Sequence, residues 1–256
     1  MKIYIISLET SLRRSKIKER LNEVNLDFEF ISAVDKNSIT ENEINALYNA
    51  EECKRRHGRD LVKAEIACFM SHIKAWHKIA DQNECAIILE DDAILTSEFK
   101  LATDFLRKTQ HDNDVVLLGR SKQRIDDEKK HYFHNPIFNK IGTRKFAIGE
   151  VFKLWTSGMV GYYVTSIGAK KLIKINNKIK CVSDDWSYHA ENGIIINEAR
   201  PYVVWEDFDN MPSNIESERS SVTKKRNIII STALPPARMV RALYRNLMAN
   251  FKQHKQ

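Results

Sequence analysis

The first 34 residues follow the order strand, helix, strand. Residues 2–8 (KIYIISL) combine β-branched and aromatic side chains, and residues 28–34 alternate as strands do. Between them, apolar side chains recur at helical spacing behind Thr10 or Ser11, either of which can cap a helix. Because a helical crossover joins parallel neighbours, this opening predicts an α/β fold built around parallel strands.

The same kind of pattern continues to about residue 205. It predicts a helix over residues 63–80, a buried strand over 85–89 and further strands over 114–118 and 159–165. Residues 121–150 are polar, aromatic and poorly periodic, which predicts a long loop or small insertion of the kind that often covers a site. We place one domain at residues 1–220 and a basic tail at residues 221–256.

Composition excludes several classes of protein. A chain of 256 residues with 43% apolar side chains can bury a core, and eight Gly and five Pro do not make a collagenous chain. The apolar runs are much shorter than the ~20 residues that span a bilayer, and no secretory signal peptide is visible. Four cysteines without a CxxC pair predict neither a zinc site nor a disulfide framework. We therefore expect the protein to be located in a reducing cytoplasm.

The net charge of +7 comes from the tail. Residues 224–256 hold eight Lys or Arg and no Asp or Glu, while the other residues hold 33 basic against 34 acidic side chains. Within the tail, residues 237–251 place apolar side chains on one face, which predicts a basic amphipathic helix that binds an anionic membrane surface. The alternative is a helix that packs on the domain and leaves its arginines in solvent. We expect no nucleic-acid partner, because no base-reading motif accompanies the charge.

Three consecutive carboxylates, Glu90, Asp91 and Asp92, follow the buried strand at 85–89. Ligands of open α/β sheets collect at the carboxyl ends of strands, so this is where a site is expected. Three adjacent negative charges repel one another, and an oxygen-preferring cation such as Mg²⁺ or Mn²⁺ relieves that repulsion and can hold a nucleotide diphosphate. The alternating members Glu90 and Asp92 could reach one ion together. A solvated acidic turn is the alternative.

The neighbourhood of the triplet resembles a known family. Residues 65–72 (EIACFMSH), Trp76 and residues 88–92 (ILEDD) resemble the signature of glycosyltransferase family 25, which includes lipooligosaccharide and collagen glycosyltransferases. Other matches follow in order over residues 2–205: residues 7–8 with 13–14, 30–35, 118–120, 161–172 and 182–186. Two positions depart from the family pattern: Ala64 stands where the family usually has Gly, and Ser183 where it has an apolar residue.

The resemblance implies a GT-A type, Rossmann-like nucleotide-sugar transferase domain with a mixed central sheet. It implies Mn²⁺ or Mg²⁺ held by Glu90 and Asp92, with Asp91 oriented elsewhere, and a carboxylate near the acceptor that takes a proton. Because of the departure at Ser183, both Asp184 and Asp185 are candidates for that base, and either could instead cap the following helix. The residues implied in nucleotide-sugar binding are Ser7, Leu8, Arg14, Glu65, Ser71, His72, Asp91, Gly119 and Arg120.

The activity implied by the resemblance is inverting, metal-dependent transfer of a hexose from a UDP-sugar to a lipooligosaccharide or lipopolysaccharide glycan. We expect galactose as the sugar and a peripheral location on the inner face of the bacterial cytoplasmic membrane. Glucose is the alternative donor sugar. A non-catalytic basic module that binds membranes or nucleic acid is the alternative class.

Overall fold

The computed structural model describes residues 1–109, 112–152, 155–208, 210 and 234–253. Eleven strands lie in these residues: β1 (Lys2–Ser7), β2 (Glu29–Ser32), β3 (Ala86–Glu90), β4 (Ala93–Leu95), β5 (Val115–Leu117), β6 (Gly119–Arg120), β7 (Phe138–Gly142), β8 (Ala147–Glu150), β9 (Gly161–Val164), β10 (Ile196–Arg200) and β11 (Val204–Glu206). The α-helices in the same residues are α1 (Arg13–Glu23), α2 (Glu41–Leu47), α3 (Ala50–His57), α4 (Lys63–Gln82), α5 (Phe99–Lys108), α6 (Glu128–His134), α7 (Ser166–Ile175), α8 (Trp186–Glu191) and α9 (Leu234–Gln253).

Eight strands form one mixed sheet in the order β2-β1-β3-β9-β5-β10-β8-β7. β1 pairs in parallel with both β2 and β3, as the strand-helix-strand opening predicts. β9 runs antiparallel between β3 and β5, and β8 runs antiparallel to β10. The predicted α/β class and mixed central sheet are therefore confirmed.

Successive side chains of the central strands enter two separate apolar cores. Tyr4 and Ile6 of β1 pack on the face covered by α4 and α7, where Trp76 is fully buried. Ile3 and Ile5 pack on the opposite face, which α1 and α5 cover. Each large apolar side chain buried in this way contributes about 1.5–3 kcal/mol relative to an exposed one. Helices on both faces explain why the central strands are apolar throughout instead of alternating.

A second sheet of three strands has the order β4-β11-β6. Its strand β6 contacts β9 of the first sheet. β11 runs antiparallel to β4 and parallel to β6. A Cβ at Gly119 in β6 would lie 2.3 Å from the carbonyl oxygen of Val204 in β11. Gly119 is buried, and its missing side chain allows the two strands to approach each other closely.

Of the two forms expected for residues 121–150, a long loop or a small insertion, the long loop is wrong, because these residues form regular elements. They form a 3-10 turn (Ile125–Asp127), α6, and the hairpin β7-β8, which lies at the edge of the large sheet. The elements are short, and the register of β7 on β8 shifts between Phe138 and Ile141. Such short and irregular elements give no sustained period of two or 3.6 residues in the sequence.

Helix α9 packs against α6 and β7 and buries Ala242 and Ala249. Six of its larger apolar side chains are about half or more exposed: Met239, Val240, Leu243, Tyr244, Leu247 and Phe251. Among the described helices, none has a stretch long and apolar enough to cross a bilayer. The predicted domain boundary at residues 220 and 221 lies outside the described residues.

Candidate active site

The carboxyl ends of three adjacent strands open into one cleft of about 510 Å³. β1 ends at Ser7, β2 at Ser32 and β3 at Glu90, and because the three strands are parallel their ends lie along one edge of the sheet. The carboxylates of Glu90, Asp91, Asp92, Asp184 and Glu206 line this cleft. It is thus strongly acidic on one side, as the triplet at positions 90–92 predicts.

Each carboxylate of the triplet has different partners. Asp91 accepts hydrogen bonds from the hydroxyls of Ser7 and Ser11, both at 2.7 Å, which fixes it to the loop after β1. Asp92 accepts a hydrogen bond from Arg13 Nη1 at 2.9 Å through one oxygen. Its other oxygen, Oδ1, is buried and has no hydrogen-bond partner within the described residues.

Glu90 faces helix α4. Its Oε1 lies 3.4 Å from His72 Nε2 and 4.0 Å from Cys68 Sγ. Nδ1 of His72 lies 3.0 Å from the hydroxyl of Tyr162, which also accepts the indole N–H of Trp76 at 2.8 Å. Burial lowers the pKa of His72 to about 3, so the imidazole is neutral and His72 is held by a buried network.

Burial, and after it the nearby carboxylate of Glu206, raise the pKa of Glu90 to about 8. The pKa of Asp92 lies well above its usual value, because burial and the neighbouring Glu90 disfavour its charged form. A divalent cation would remove this penalty by neutralising the carboxylates. The buried, unpartnered Oδ1 of Asp92 and the oxygen-rich wall therefore fit the hard cations Mg²⁺ and Mn²⁺.

The ligand atoms of Cys68, His72 and Glu90 also lie within 4.8 Å of one another. Burial raises the pKa of the Cys68 thiol well above its usual range, so this sulfur stays protonated. A neutral thiol is a poor ligand for Mg²⁺ or Mn²⁺, which prefer oxygen. The oxygens of Glu90 and Asp92 remain the predicted ligands.

The structure separates the two aspartates that the sequence left open. Asp184 lines the cleft, and its Oδ2 accepts the backbone N–H of Gly158 at 2.8 Å. Asp185 instead caps α8 by accepting the backbone N–H of Tyr188 at 2.9 Å. The Asp185 carboxylate also forms a two-pronged ion pair with the guanidinium of Arg56. Asp184 is therefore the one of the two that lines the cleft, whereas Asp185 is held in a helix cap and an ion pair.

Two other predicted residues, Glu65 and Ser71, line the cleft, and both form hydrogen bonds with other residues of the protein. Glu65 forms two hydrogen bonds of 2.7 Å with the guanidinium of Arg59 and accepts the backbone N–H of Val62 at the start of α4. Ser71 donates to the carbonyl of Ala67 and accepts the backbone N–H of Val34, each at 2.8 Å. These two side chains shape the wall of the cleft.

Three predicted residues lie outside the cleft. The guanidinium of Arg14 stacks 4.4 Å from the ring centre of Phe30, and it is Arg13, its neighbour, that reaches Asp92. Gly119 is buried between strands, and Arg120 contacts His131 in a second cavity. Ser7, Leu8, Glu65, Ser71, His72 and Asp91 do line the cleft, as expected.

Sequence reasoning missed Arg13, Lys122 and Glu206. Glu206 ends β11 in the second sheet, and its Oε2 accepts the backbone N–H of Lys122 at 2.8 Å. A signal was present: Glu206 and Asp207 are two carboxylates behind a short apolar run, which repeats the pattern at positions 90–92 on a smaller scale.

Residues 1–187 match the family model described as "Glycosyltransferase family 25 (LPS biosynthesis protein)". The chain belongs to glycosyltransferase family 25. Procollagen galactosyltransferase 1-B of Xenopus laevis is 29% identical over 182 residues, which are 67% of this chain and 28% of the relative. An inferred glycosyltransferase of Haemophilus influenzae is 27% identical over 222 residues, covering 82% of this chain and 72% of that protein. The chain thus spans less than a third of the procollagen galactosyltransferase.

Solved structures are more distant. The 4-diphosphocytidyl-2C-methyl-D-erythritolsynthase of Anaerococcus prevotii has 12% sequence identity and a TM-score of 0.38, over 87% of this chain and 98% of that one. A glycosyltransferase involved in glycosylation of the major capsid of PBCV-1 has a TM-score of 0.29 at 12% identity, over 70% of this chain and 69% of that one.

Proposed function

We propose that this chain transfers a hexose from a UDP-sugar to a glycan acceptor at the cleft beyond β1, β2 and β3. The observation that carries the proposal is the match to family 25 over residues 1–187, a range that contains the triplet and Asp184. The name of the Xenopus relative supports galactose as the sugar, and the description of the family as one of lipopolysaccharide biosynthesis supports a lipopolysaccharide or the related lipooligosaccharide as the acceptor. The cleft fits a transferase of the GT-A type. Glucose is the alternative donor sugar.

The residues of the cleft divide the work of an inverting transfer. Glu90 and Asp92 would hold Mn²⁺ or Mg²⁺, and the ion would supply positive charge for the leaving diphosphate. Asp91 orders the loop after β1, since it binds two serine hydroxyls there. Asp184 would accept the proton of the acceptor hydroxyl as that oxygen attacks the anomeric carbon from the face opposite the leaving group. The hydrogen bond from Gly158 holds one Asp184 oxygen and leaves the other for this task.

The test is donor hydrolysis and transfer across a panel of UDP-sugars, with Mn²⁺, with Mg²⁺ and with a chelator. We expect one preferred sugar, and no turnover with the chelator. Asp92→Asn and Glu90→Gln should lose metal-dependent turnover while remaining folded. Asp104→Asn, a change of an exposed carboxylate on α5, is the matched control. Full activity in chelator, or in both cleft variants, would refute the metal-dependent mechanism.

We also propose that α9 binds the inner face of an anionic membrane. The support is the row of exposed apolar side chains on a helix that carries Arg238, Arg241 and Arg245. Each basic residue near such a surface contributes up to about 1 kcal/mol. In vesicle sedimentation, Leu243→Glu with Leu247→Glu should abolish binding, whereas Ile167→Glu, at another exposed apolar position, should not. Equal binding by all three proteins would refute the role of α9.

A further inference from the structure

A second cavity, of about 620 Å³, lies between α9 and residues 120–135. Seven arginine and lysine side chains line it, against a single carboxylate among its described lining residues, Asp127. The cations come from two separate parts of the chain, namely residues 120–130 and α9: Arg120, Lys122, Arg124, Lys130, Arg238, Arg241 and Arg245. Folding has therefore brought basic side chains from two distant parts of the chain to one place, where a bound anion would meet several of them at once.

Two details of this cavity point to a ligand. Nε of Arg120 is buried and has no hydrogen-bond partner among the described residues, although its Nη1 contacts His131. Burial lowers the pKa of Arg245, and the adjacent charge of Arg241 lowers it further. Arg245 donates to two neutral oxygens, the backbone carbonyl of His134 at 3.4 Å and the side-chain oxygen of Asn135 at 3.5 Å, so its guanidinium can still bind an anion. Burial and the nearby Arg120 keep His131 neutral by lowering its pKa to about 3, so His131 adds no further charge.

The basic cavity is connected to the candidate active site. Lys122 lines both cavities, and its backbone N–H binds Glu206, which lies in the acidic cleft. The two cavities therefore adjoin at Lys122. The acidic cleft already provides a place for the donor diphosphate in the proposed function, so the second cavity is available to the acceptor.

We propose that the basic cavity binds a phosphate group of the acceptor, so that the acceptor is a phosphorylated glycan. This inference rests on the proposed function and names the class of acceptor. Phosphate carries up to two charges, and arginine forks match its oxygens in pairs, which suits a cavity with several guanidinium groups and few acids. The exposed apolar face of α9 lies on the same helix as three of these arginines, which suits an acceptor that is attached to a lipid.

The test uses the full chain with Arg238→Gln and Arg241→Gln combined. Both side chains are exposed on α9, so the double variant should remain folded. The acceptors are oligosaccharide released from lipooligosaccharide by deacylation and the same oligosaccharide after phosphatase treatment. For the phosphorylated acceptor, KM should rise about tenfold or more in the variant, with kcat and the KM of the donor unchanged. For the dephosphorylated acceptor, wild type and variant should have the same, higher KM.

Lys100→Gln with Lys174→Gln removes two charges from exposed positions on α5 and α7, and it should behave as wild type. An unchanged KM in the arginine variant, an equal loss with both acceptors, or a rise in the donor KM would overturn the proposal. Donor hydrolysis separates this inference from the proposed function, since the arginine variant should retain it fully. If the wild type has no turnover, the proposed function fails, and calorimetric binding of the two oligosaccharides still tests the cavity.

Membrane lipids are the other source of phosphate groups for the basic cavity. Vesicles of phosphatidylglycerol and phosphatidylethanolamine supply that phosphate without a glycan. If the arginine variant loses binding to these vesicles but binds the phosphorylated oligosaccharide as tightly as wild type, the cavity serves lipid headgroups and the proposal is wrong. A loss of oligosaccharide binding in calorimetry supports it.

Discussion

The neighbours Asp184 and Asp185 should respond to substitution in opposite ways. Asp184→Asn keeps an oxygen that can accept the N–H of Gly158, so the fold should tolerate it. It removes the group that accepts the acceptor proton, and loss of such a group costs roughly 10²- to 10⁴-fold in rate. At 1.36 kcal/mol per factor of ten, the barrier should rise by about 2.7–5.4 kcal/mol. We expect an unchanged Tm.

Asp185→Ala should lower stability. It removes an N-cap, worth about 1 kcal/mol, and both hydrogen bonds to the Arg56 guanidinium. Hydrogen bonds to charged groups contribute about 1.5–3 kcal/mol when well buried. Arg56 is 27% exposed and keeps Glu191 as a partner, so the sum is closer to 2–3 kcal/mol in total. For a domain of this size the Tm should fall by about 4–12 °C.

Thermal unfolding and single-turnover transfer, measured on both variants, test this contrast. Glu191→Ala is the control for Arg56, because Glu191 is 61% exposed and its loss should change Tm little. Full transfer by Asp184→Asn would remove Asp184 as the base. A loss of transfer in Asp185→Ala at temperatures where the variant is fully folded would show that the assignment of the two roles is reversed.

Three further variants test the fold around the cleft. Arg59→Ala should break the buried ion pair with Glu65, at a cost of about 3–5 kcal/mol in urea unfolding; a change under about 1 kcal/mol would contradict this. Gly168→Ala would place a Cβ 2.3 Å from the carbonyl oxygen of Asp114, and overpacking of this kind should lower the free energy of unfolding by about 1–3 kcal/mol; an unchanged urea midpoint would be inconsistent with so close a contact. Burial lowers the pKa of His189 to about 4, so the unfolded chain binds a proton first and stability is lost as pH falls from about 6.5 towards 4. In that window, the free energy of unfolding of His189→Gln should fall by up to about 1.4 kcal/mol less per pH unit than that of the wild type. Parallel profiles of unfolding free energy against pH would refute the conclusion that His189 is buried in its neutral form.

Local sequence patterns were sufficient for the class of fold and for one side of the site. The run at 85–89 shows a buried strand because all its residues are apolar, and the carboxylates that follow must lie at the end of that strand. Residues 65–72 together with this strand were also enough for the resemblance to family 25, which the family match over residues 1–187 confirms. Patterns of this kind depend only on neighbours along the chain.

The sequence did not predict roles that depend on the direction in which a side chain points. Arg13 and Arg14 are adjacent, yet consecutive helical residues point about 100° apart, and only Arg13 reaches the triplet. Asp184 and Asp185 differ in the same way, because one faces the cleft and the other caps α8. Such differences follow from the angle at which each element packs, which is a property of the whole core.

Sequence alone therefore determined the class of fold and which strand end carries the carboxylates, since these follow from periodicity and from local chemistry. Only the tertiary structure brought Glu206 from the second sheet to the cleft and placed α9 beside residues 120–135 to form the basic cavity. Those residues are separated by about a hundred positions or more in the chain. Their contact depends on how sheets and helices pack, and no short stretch of sequence contains that information.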